Sequence, residues 1–231
     1  MFGKMWSSWV IVLVCFVVAF SGCTRIEPGH VGIKISMSGS QKGVSDMPLL
    51  TGWTFYLPGA TKVFEYPTYM QTAQLAAATH DGRKQNDEIS FSDKDQMLIN
   101  ADVNLSYTID ASKVPAFYIK FRNDDIGLFT YGYLRNVIRD AFNLVTPRFS
   151  YEEINGPKRE MVLTTVRDAI NTDVSKYGVK IEQFGFIGAL RPPQAISEAI
   201  GLKIKAIQKA QQSENELRQA NADAAKVVAT A

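Results

Sequence analysis

Side chains that commonly do chemistry are scarce in this sequence. Its two cysteines, Cys15 and Cys23, lie near the N-terminus, and its two histidines, His30 and His80, are far apart along the chain. The rest of the chain therefore has no thiol to serve as a nucleophile or a metal ligand. No H-E-x-x-H, G-x-S-x-G or Walker phosphate loop occurs. The sequence predicts a protein that is not an enzyme and that uses no cofactor and no metal ion.

Cys23 is the residue with a predicted chemical role. An apolar run over residues 9–20 is followed by the small residues Ser21 and Gly22 and then by Cys23. This order resembles the end of a lipoprotein signal, where the chain is cleaved and the new terminal cysteine carries lipid. Cys23 is therefore a candidate for lipidation.

An uncleaved membrane anchor is the alternative interpretation of the same segment. Residues 5–22 are nearly long enough to cross a hydrocarbon core of about 30 Å as a helix. Either interpretation tethers the protein to a membrane through residues 1–23, by one span or by a lipid. Both also predict that the body of the protein lies outside the cytoplasm.

Charge and acidic clusters exclude further classes of function. The net charge is +2, and the lysine and arginine residues are dispersed along the chain. The sequence therefore has no concentrated positive charge that would attract nucleic acid. Asp93 and Asp95 are a short acidic cluster that we interpret as a turn or strand end rather than a cation site. The sequence predicts no nucleic-acid partner.

The clearest strand signal lies between Met97 and Ile109, where apolar and polar residues alternate. Side chains alternate across a strand, so this pattern predicts one buried and one solvent-facing side. Sheets of this kind are usually antiparallel. The residues of the predicted solvent-facing side are Asn100, Asp102, Asn104, Ser106 and Thr108.

Helices follow that strand. Ser112 is predicted to cap a short helix that ends at Phe121, and Asp124 or Asp125 to cap the next one. Ser150 and Glu153 fit a capping box, and Gly178 a left-handed cap. The second helix has apolar residues at helical spacing: Phe129, Tyr133, Val137, Ile138, Ala141 and Leu144. Strands, helices and a last strand predict an α+β fold, with helices packed on an antiparallel or mixed sheet.

An aromatic group follows the membrane segment at Trp53, Phe55 and Tyr56. One interpretation places these rings in the hydrophobic core. The other places them in the headgroup region of the membrane, where tryptophan and tyrosine are enriched. They are therefore candidates for contact with the membrane.

The chain ends in a predicted helix over residues 192–231, rich in Ala, Gln, Lys and Glu. Its apolar side is narrow, and two such helices would form a weak coiled-coil dimer because few of the apolar residues are large. Many copies side by side would bury small alanine faces on both flanks. The predicted contact residues are Ile196, Ile200, Ile204, Ile207, Leu217, Ala224 and Val227.

Several segments, in order, resemble those of one known family. They are "IEPGHVGI" at 26–33, "GWTFYLP" at 52–58, "DKDQMLINADVNLSYTID" at 93–110, "YGVKIEQFGF" at 177–186 and "PPQAISEAIGLKIKAIQKAQQ" at 192–212. In combination they resemble the SPFH superfamily of stomatins, prohibitins, flotillins and bacterial modulators of membrane proteases. The segment 76–88 departs from this pattern and looks like an insertion in a hairpin.

The resemblance implies a division of the chain and a function. Residues 26–190 would form the SPFH domain, and residues 192–231 a coiled-coil-like stem that joins copies of the protein. The implied function is a scaffold that assembles into a ring or cage and organises a membrane patch, its lipids and its proteins, membrane proteases among them. The alternative is a monomeric lipoprotein that binds a ligand or one partner.

Overall fold

The computed structural model describes residues 22–39, 42–46, 48–77, 85–122 and 125–230, with side chains described as far as residue 222. Nearly all of the predicted membrane segment, residues 1–23, lies outside the described residues, as do the side chains of Ala224 and Val227. Among the helices that are described, none is long and apolar enough to cross a membrane.

A large antiparallel sheet is built around the strand that the alternating pattern predicts, β8 (Leu98–Ile109). One edge of β8 pairs with β9 (Val179–Arg191), and the other edge pairs with β6 (Gln71–Leu75) and β7 (Ile89–Ser92). The side of β8 that includes Val103 and Leu105 is buried under the helices. All described pairings are antiparallel, so the predicted α+β fold with helices packed on a sheet is confirmed.

The predicted insertion at 76–88 lies in a hairpin, in the arm that β6 and β7 form against β8. Leu75 pairs with Val103 and Ile89 pairs with Ala101, so β6 and β7 follow one another along the same edge of β8. They do not pair with each other. Residues 76–88 are therefore an insertion in a strand that would otherwise run along β8 without interruption.

Two smaller sheets precede the large one. β2 (His30–Ser36) pairs with β5 (Thr61–Pro67) and with the short β3 (Gly43–Val44). β1 (Gly22–Ile26) pairs with β4 (Gly52–Tyr56) to form a two-stranded ribbon. The ribbon thus begins where the predicted membrane segment ends.

The first helix, α1 (Val114–Phe121), follows a 3₁₀ turn at Ala111–Lys113. The cap differs from the prediction, because Asp110 accepts the backbone N–H of Ser112 at 2.9 Å. Asp110 lies directly before the turn, the position from which a side-chain oxygen can accept a first-turn N–H group, whereas Ser112 lies inside the turn.

The second helical segment, α2, consists of Ile126–Leu128, a π-helical turn at Phe129–Leu134 and Arg135–Val145. Asp125, one of the two residues predicted to cap this segment, accepts the backbone N–H of Gly127 at 2.7 Å. Leu144 was expected on the buried side but is 66% exposed. The wider π turn changes the register, so the buried side passes through Ile138, Ala141, Phe142 and Val145 instead.

Three further helices complete the fold. α3 (Tyr151–Asn155) begins with the predicted capping box of Ser150 and Glu153. α4 (Arg159–Val174) runs to a 3₁₀ turn that Gly178 ends in the predicted left-handed conformation, with a φ of 80°. The last helix, α5 (Gln194–Thr230), has 37 residues and a length of about 55 Å.

Candidate functional site

The acidic cluster of the sequence is a turn. Asp93 Oδ1 accepts the backbone N–H groups of Asp95 and Met97, both at 2.9 Å. No group of three or more potential metal ligands occurs in the described part of the chain. The surfaces that remain as candidate functional sites are the ribbon, the terminal helix and the ionic cluster that joins this helix to the sheet.

The ribbon of β1 and β4 presents an apolar face to solvent. Trp53 is 68% exposed and Phe55 is 71% exposed. Their partners across the ribbon are Arg25 and Cys23, which are exposed as well. Leu50 and Leu57, on either side of β4, extend the exposed apolar surface. Cys23 and the two rings therefore share one face of the ribbon.

Tyr56 lies on the opposite face from Trp53 and Phe55. Its ring packs over Gly22, where any added side chain would collide with Tyr56 and Pro58. This separation follows from the alternation of side chains along a strand. The three aromatic residues that the sequence grouped together thus do not form one surface.

Arg191, the last residue of β9, donates three side-chain hydrogen bonds to two carboxylates. Its Nη1 donates to Asp102 Oδ2 at 2.7 Å, and its Nη2 donates to Asp102 Oδ1 at 2.6 Å and to Glu88 Oε2 at 2.7 Å. Asp102 Oδ1 also accepts the backbone N–H of Ala77 at 2.9 Å. We call Arg191, Asp102 and Glu88 the ionic clamp.

The clamp corrects the prediction for the second side of β8. Asp102 was expected to face solvent but is only 2% exposed, because Arg191 and the ends of the 76–88 insertion cover it. Ser106 is buried too, and its hydroxyl group lies 3.1 Å from that of Thr72 on β6. Of the predicted solvent-facing residues, Asn104 is exposed and Asn100 and Thr108 are half-buried.

The charges of the clamp stabilise each other. Hydrogen bonds to Asp102 raise the pKa of Arg191 above its usual value, although burial opposes the shift. Burial acts to raise the pKa of Glu88, but hydrogen bonds from Asn86 and Arg191 hold it below the usual value. Bidentate pairs between arginine and carboxylate combine charge with fixed geometry. Arg191 and Glu88 therefore carry their charges near neutral pH.

A second arginine fixes the far end of the insertion. Arg135 on α2 donates to the carbonyl groups of Asn86, Asp87 and Glu88 at 3.1 to 3.3 Å. The N–H of Asp87 donates to the carbonyl group of Ala76 at 3.1 Å and closes the base of the insertion. Both ends of segment 76–88 are thus held against the large sheet.

The terminal helix α5 is largely exposed along its described side chains. Leu202 is 69% exposed and Leu217 is 65% exposed, whereas Ile200 is half-buried. At 3.6 residues per turn its apolar residues form two stripes. The isoleucine stripe consists of Ile196, Ile200, Ile204 and Ile207, and the alanine–leucine stripe of Ala195, Ala199, Leu202, Ala206, Ala210 and Leu217.

Lys203 lies between these two stripes on the helical projection. Its Nζ donates to Glu152 Oε1 of α3 at 2.7 Å, so this line of the helix faces the domain. The two stripes lie on either side of that line, each centred about 55° from it on the projection.

Sequence reasoning missed the ionic clamp. Arg191 and Asp102 are 89 positions apart, and each has an ordinary local context. In the sequence, Asp102 resembles any polar residue on the solvent-facing side of an alternating strand. The only local signal was the position of Arg191 directly before two prolines.

Comparison with known proteins gives a family for the chain. A search of curated proteins finds no match. The family model described as "SPFH domain / Band 7 family" matches residues 24–224, from the ribbon to the upper part of α5. The chain therefore belongs to the SPFH domain/Band 7 family, whose members are membrane-associated proteins that typically oligomerise.

Proposed function

We propose that this protein is a non-enzymatic, membrane-tethered scaffold whose copies assemble side by side through α5. The observation that carries this proposal is a helix of 37 residues whose large apolar side chains are mostly exposed. Isolated helices are marginal in water and gain stability by packing an apolar face. The helix needs a partner, and membership of a family whose members typically oligomerise supports another copy of the chain as that partner.

The two stripes of α5 support contacts on both flanks. An interface of four isoleucines against small alanines would bury less surface than the roughly 1,200 to 2,000 Å² that is typical of stable complexes. One such contact does not hold a dimer together in dilute solution. Tethering on a membrane raises the effective concentration, and contacts on two sides of each copy add up. The proposed assembly is thus a ring or cage rather than a pair.

The ribbon supports the membrane tether. β1 begins at Gly22, where the predicted membrane segment ends, so the ribbon lies next to the tether. Trp53 and Phe55 would then enter the headgroup region, each contributing about 1 to 3 kcal/mol if fully buried. Tyr56 faces away from them and takes no part in this contact.

Cys23 would share the membrane-facing side of the ribbon with Phe55. A lipid on its sulfur atom would therefore enter the bilayer beside the two aromatic rings. An uncleaved anchor would enter the bilayer at the same point, because residues 1–21 directly precede the ribbon. Both alternatives place the body of the protein outside the cytoplasm.

The enclosed partners are proposed by family resemblance. Integral membrane proteins, with membrane proteases among them, would be organised within the patch that the assembly surrounds. The alternative function is that of a monomeric lipoprotein. It is favoured by an open cleft of about 660 Å³ beside the clamp, lined by Gln74, Ile187, Gly188 and Ala189, which would take a ligand or one partner.

Particle size separates these functions. The full chain, extracted with a mild detergent, is expected to form a particle much larger than one copy. A chain truncated after Arg191 is expected to be monomeric with an unchanged unfolding temperature for the domain, since α5 contributes little to the core. Leu202→Glu and Ile204→Glu should also reduce the particle, whereas Gln208→Glu on the polar side of α5 should not. A monomeric full chain would support the lipoprotein alternative instead.

A further inference from the structure

The connection from the large sheet to α5 consists of only two residues, Pro192 and Pro193. A proline ring fixes φ near −65°, and a residue before proline is restricted to extended conformations. Arg191 and Pro192 both precede a proline. The carbonyl group of Pro193 already accepts the N–H groups of Ile196 and Ser197, each at 3.0 Å. No freely rotating residue therefore separates the strand from the helix.

Arg191 is itself fixed on the strand side of this connection. Its backbone pairs with Asn100 of β8, and its guanidinium group is held by Asp102 and Glu88 in the ionic clamp. Asp102 is in turn held by the N–H of Ala77. The residue from which the helix departs thus has fixed main-chain and side-chain positions.

The length of α5 makes this restriction important. A helix of about 55 Å that swings by about 20° at its base moves its tip by about 19 Å, more than the width of a helix. The Lys203–Glu152 ion pair is a second point of contact, but both side chains are more than half exposed and such pairs contribute little. A freely swinging helix would lose the weak contacts along its flanks.

We propose that Arg191, Pro192 and Pro193 form a rigid junction that fixes the direction of α5 relative to the large sheet, with Arg191 as the positioning residue. The junction pre-organises the helix, so assembly does not have to restrict its motion. Glu88 belongs to the base of the 76–88 insertion, so this insertion and the helix share one ionic cluster. The consequence for assembly rests on the proposed function, whereas the rigidity of the junction does not.

The distribution of distances between the domain and α5 tests the junction. Spin-labelled non-natural amino acids are placed at Thr164 on α4 and Gln219 on α5 of the full chain, which is diluted with a large excess of unlabelled protein in detergent. The unaltered junction is expected to give a narrow distribution. Pro192→Gly with Pro193→Gly should broaden it by about twofold or more, because glycine restores free backbone rotation.

A second variant tests the clamp. Arg191→Gln removes the guanidinium group and should broaden the distances too, although it leaves Asp102 without its ionic partner and lowers stability. The double glycine variant retains all three residues of the ionic clamp and remains interpretable if Arg191→Gln does not fold. Pro58→Gly, in the turn after β4, is the matched control and should leave the distances unchanged.

The outcomes distinguish this inference from the proposed function. A broad distribution with the native junction, or an unchanged one in the double glycine variant, would overturn the junction. Narrow distances in a protein that stays monomeric would support the junction and contradict the proposed assembly. If the glycine variant broadens the distances but its particles remain uniform in size, the junction stands and its role in assembly is wrong.

Discussion

Tyr107 shows at the scale of single residues how a polar group is accommodated inside this fold. It lies on the buried side of β8, and its hydroxyl group is 2.6 Å from Thr130 Oγ1 in the π-helical turn of α2. Thr130 Oγ1 also donates to the carbonyl group of Ile126 at 2.9 Å. The hydroxyl of Tyr107 thus has a partner in an otherwise apolar environment, which avoids the cost of an unpaired buried group.

The stability of the domain should depend on Tyr107 at alkaline pH. Burial raises the pKa of this hydroxyl group from 10.0 to about 12. The contribution is fully present below pH 10, the value for the unfolded chain, and is lost as the pH rises through about 12. The total loss should be about 2 to 3 kcal/mol. Urea unfolding between pH 8 and pH 12 measures it.

The comparison with Tyr107→Phe isolates this effect. The variant should lose about 1 kcal/mol at neutral pH, because its hydrogen bond is absent, and should show a smaller alkaline loss. Tyr69→Phe removes an exposed hydroxyl group and should retain the full alkaline loss. An identical pH dependence in Tyr107→Phe and the unaltered protein would contradict the assignment.

Edge protection is the main feature at the scale of elements. The outer edge of β9 lies beside α4, where Asn171 Oδ1 accepts the N–H of Ile181 at 2.8 Å and Asn171 Nδ2 donates to the carbonyl group of Ile181 at 3.2 Å. β7 has a similar arrangement with α2, since Asn143 Oδ1 accepts the N–H of Ser92. Side chains thus take the place of a neighbouring strand, and unwanted pairing is blocked.

Asn171→Ala should expose this edge. Both backbone groups of Ile181 lose their partner, so we expect a decrease of about 1 to 3 kcal/mol in the free energy of unfolding and faster aggregation on heating. Thr172→Ala, the neighbouring substitution, removes only a hydrogen bond to Asp168 on the exposed side of α4 and should change stability less. Equal effects of the two substitutions would show that the edge contact does not matter.

Elements with local signals were predictable from the sequence. The strand β8 with its buried apolar side, the capping box of α3 and the left-handed Gly178 depend on residues near each other in the chain, and the structure confirms them. The collinear β6 and β7 and the buried Asp102 depend on partners far away, which no local pattern specifies. The position of Tyr56 was predictable from the sequence, because strand alternation alone places it on the face opposite Trp53 and Phe55.

At the scale of the whole molecule, the proposed function requires that the same chain contacts the bilayer and its own copies. The ribbon follows the proposed tether in the sequence, and α5 follows the large sheet through a connection of two prolines. Membrane contact through the ribbon would limit how the domain tilts. With the tilt of the domain and the direction of α5 both restricted, neighbouring helices would meet along their length.

Tryptophan fluorescence tests the contact between the ribbon and the membrane. The chain has three tryptophans, and Trp6→Phe with Trp9→Phe leaves Trp53 as the sole emitter. In vesicles, brominated lipids are expected to quench Trp53, because its exposed ring would lie among the lipids. The matched control adds Trp53→Phe and Tyr56→Trp, which moves the indole ring to the opposite face of the ribbon. Quenching should then fall sharply, and equal quenching at both positions would mean that the face with Trp53 and Phe55 does not contact the membrane specifically.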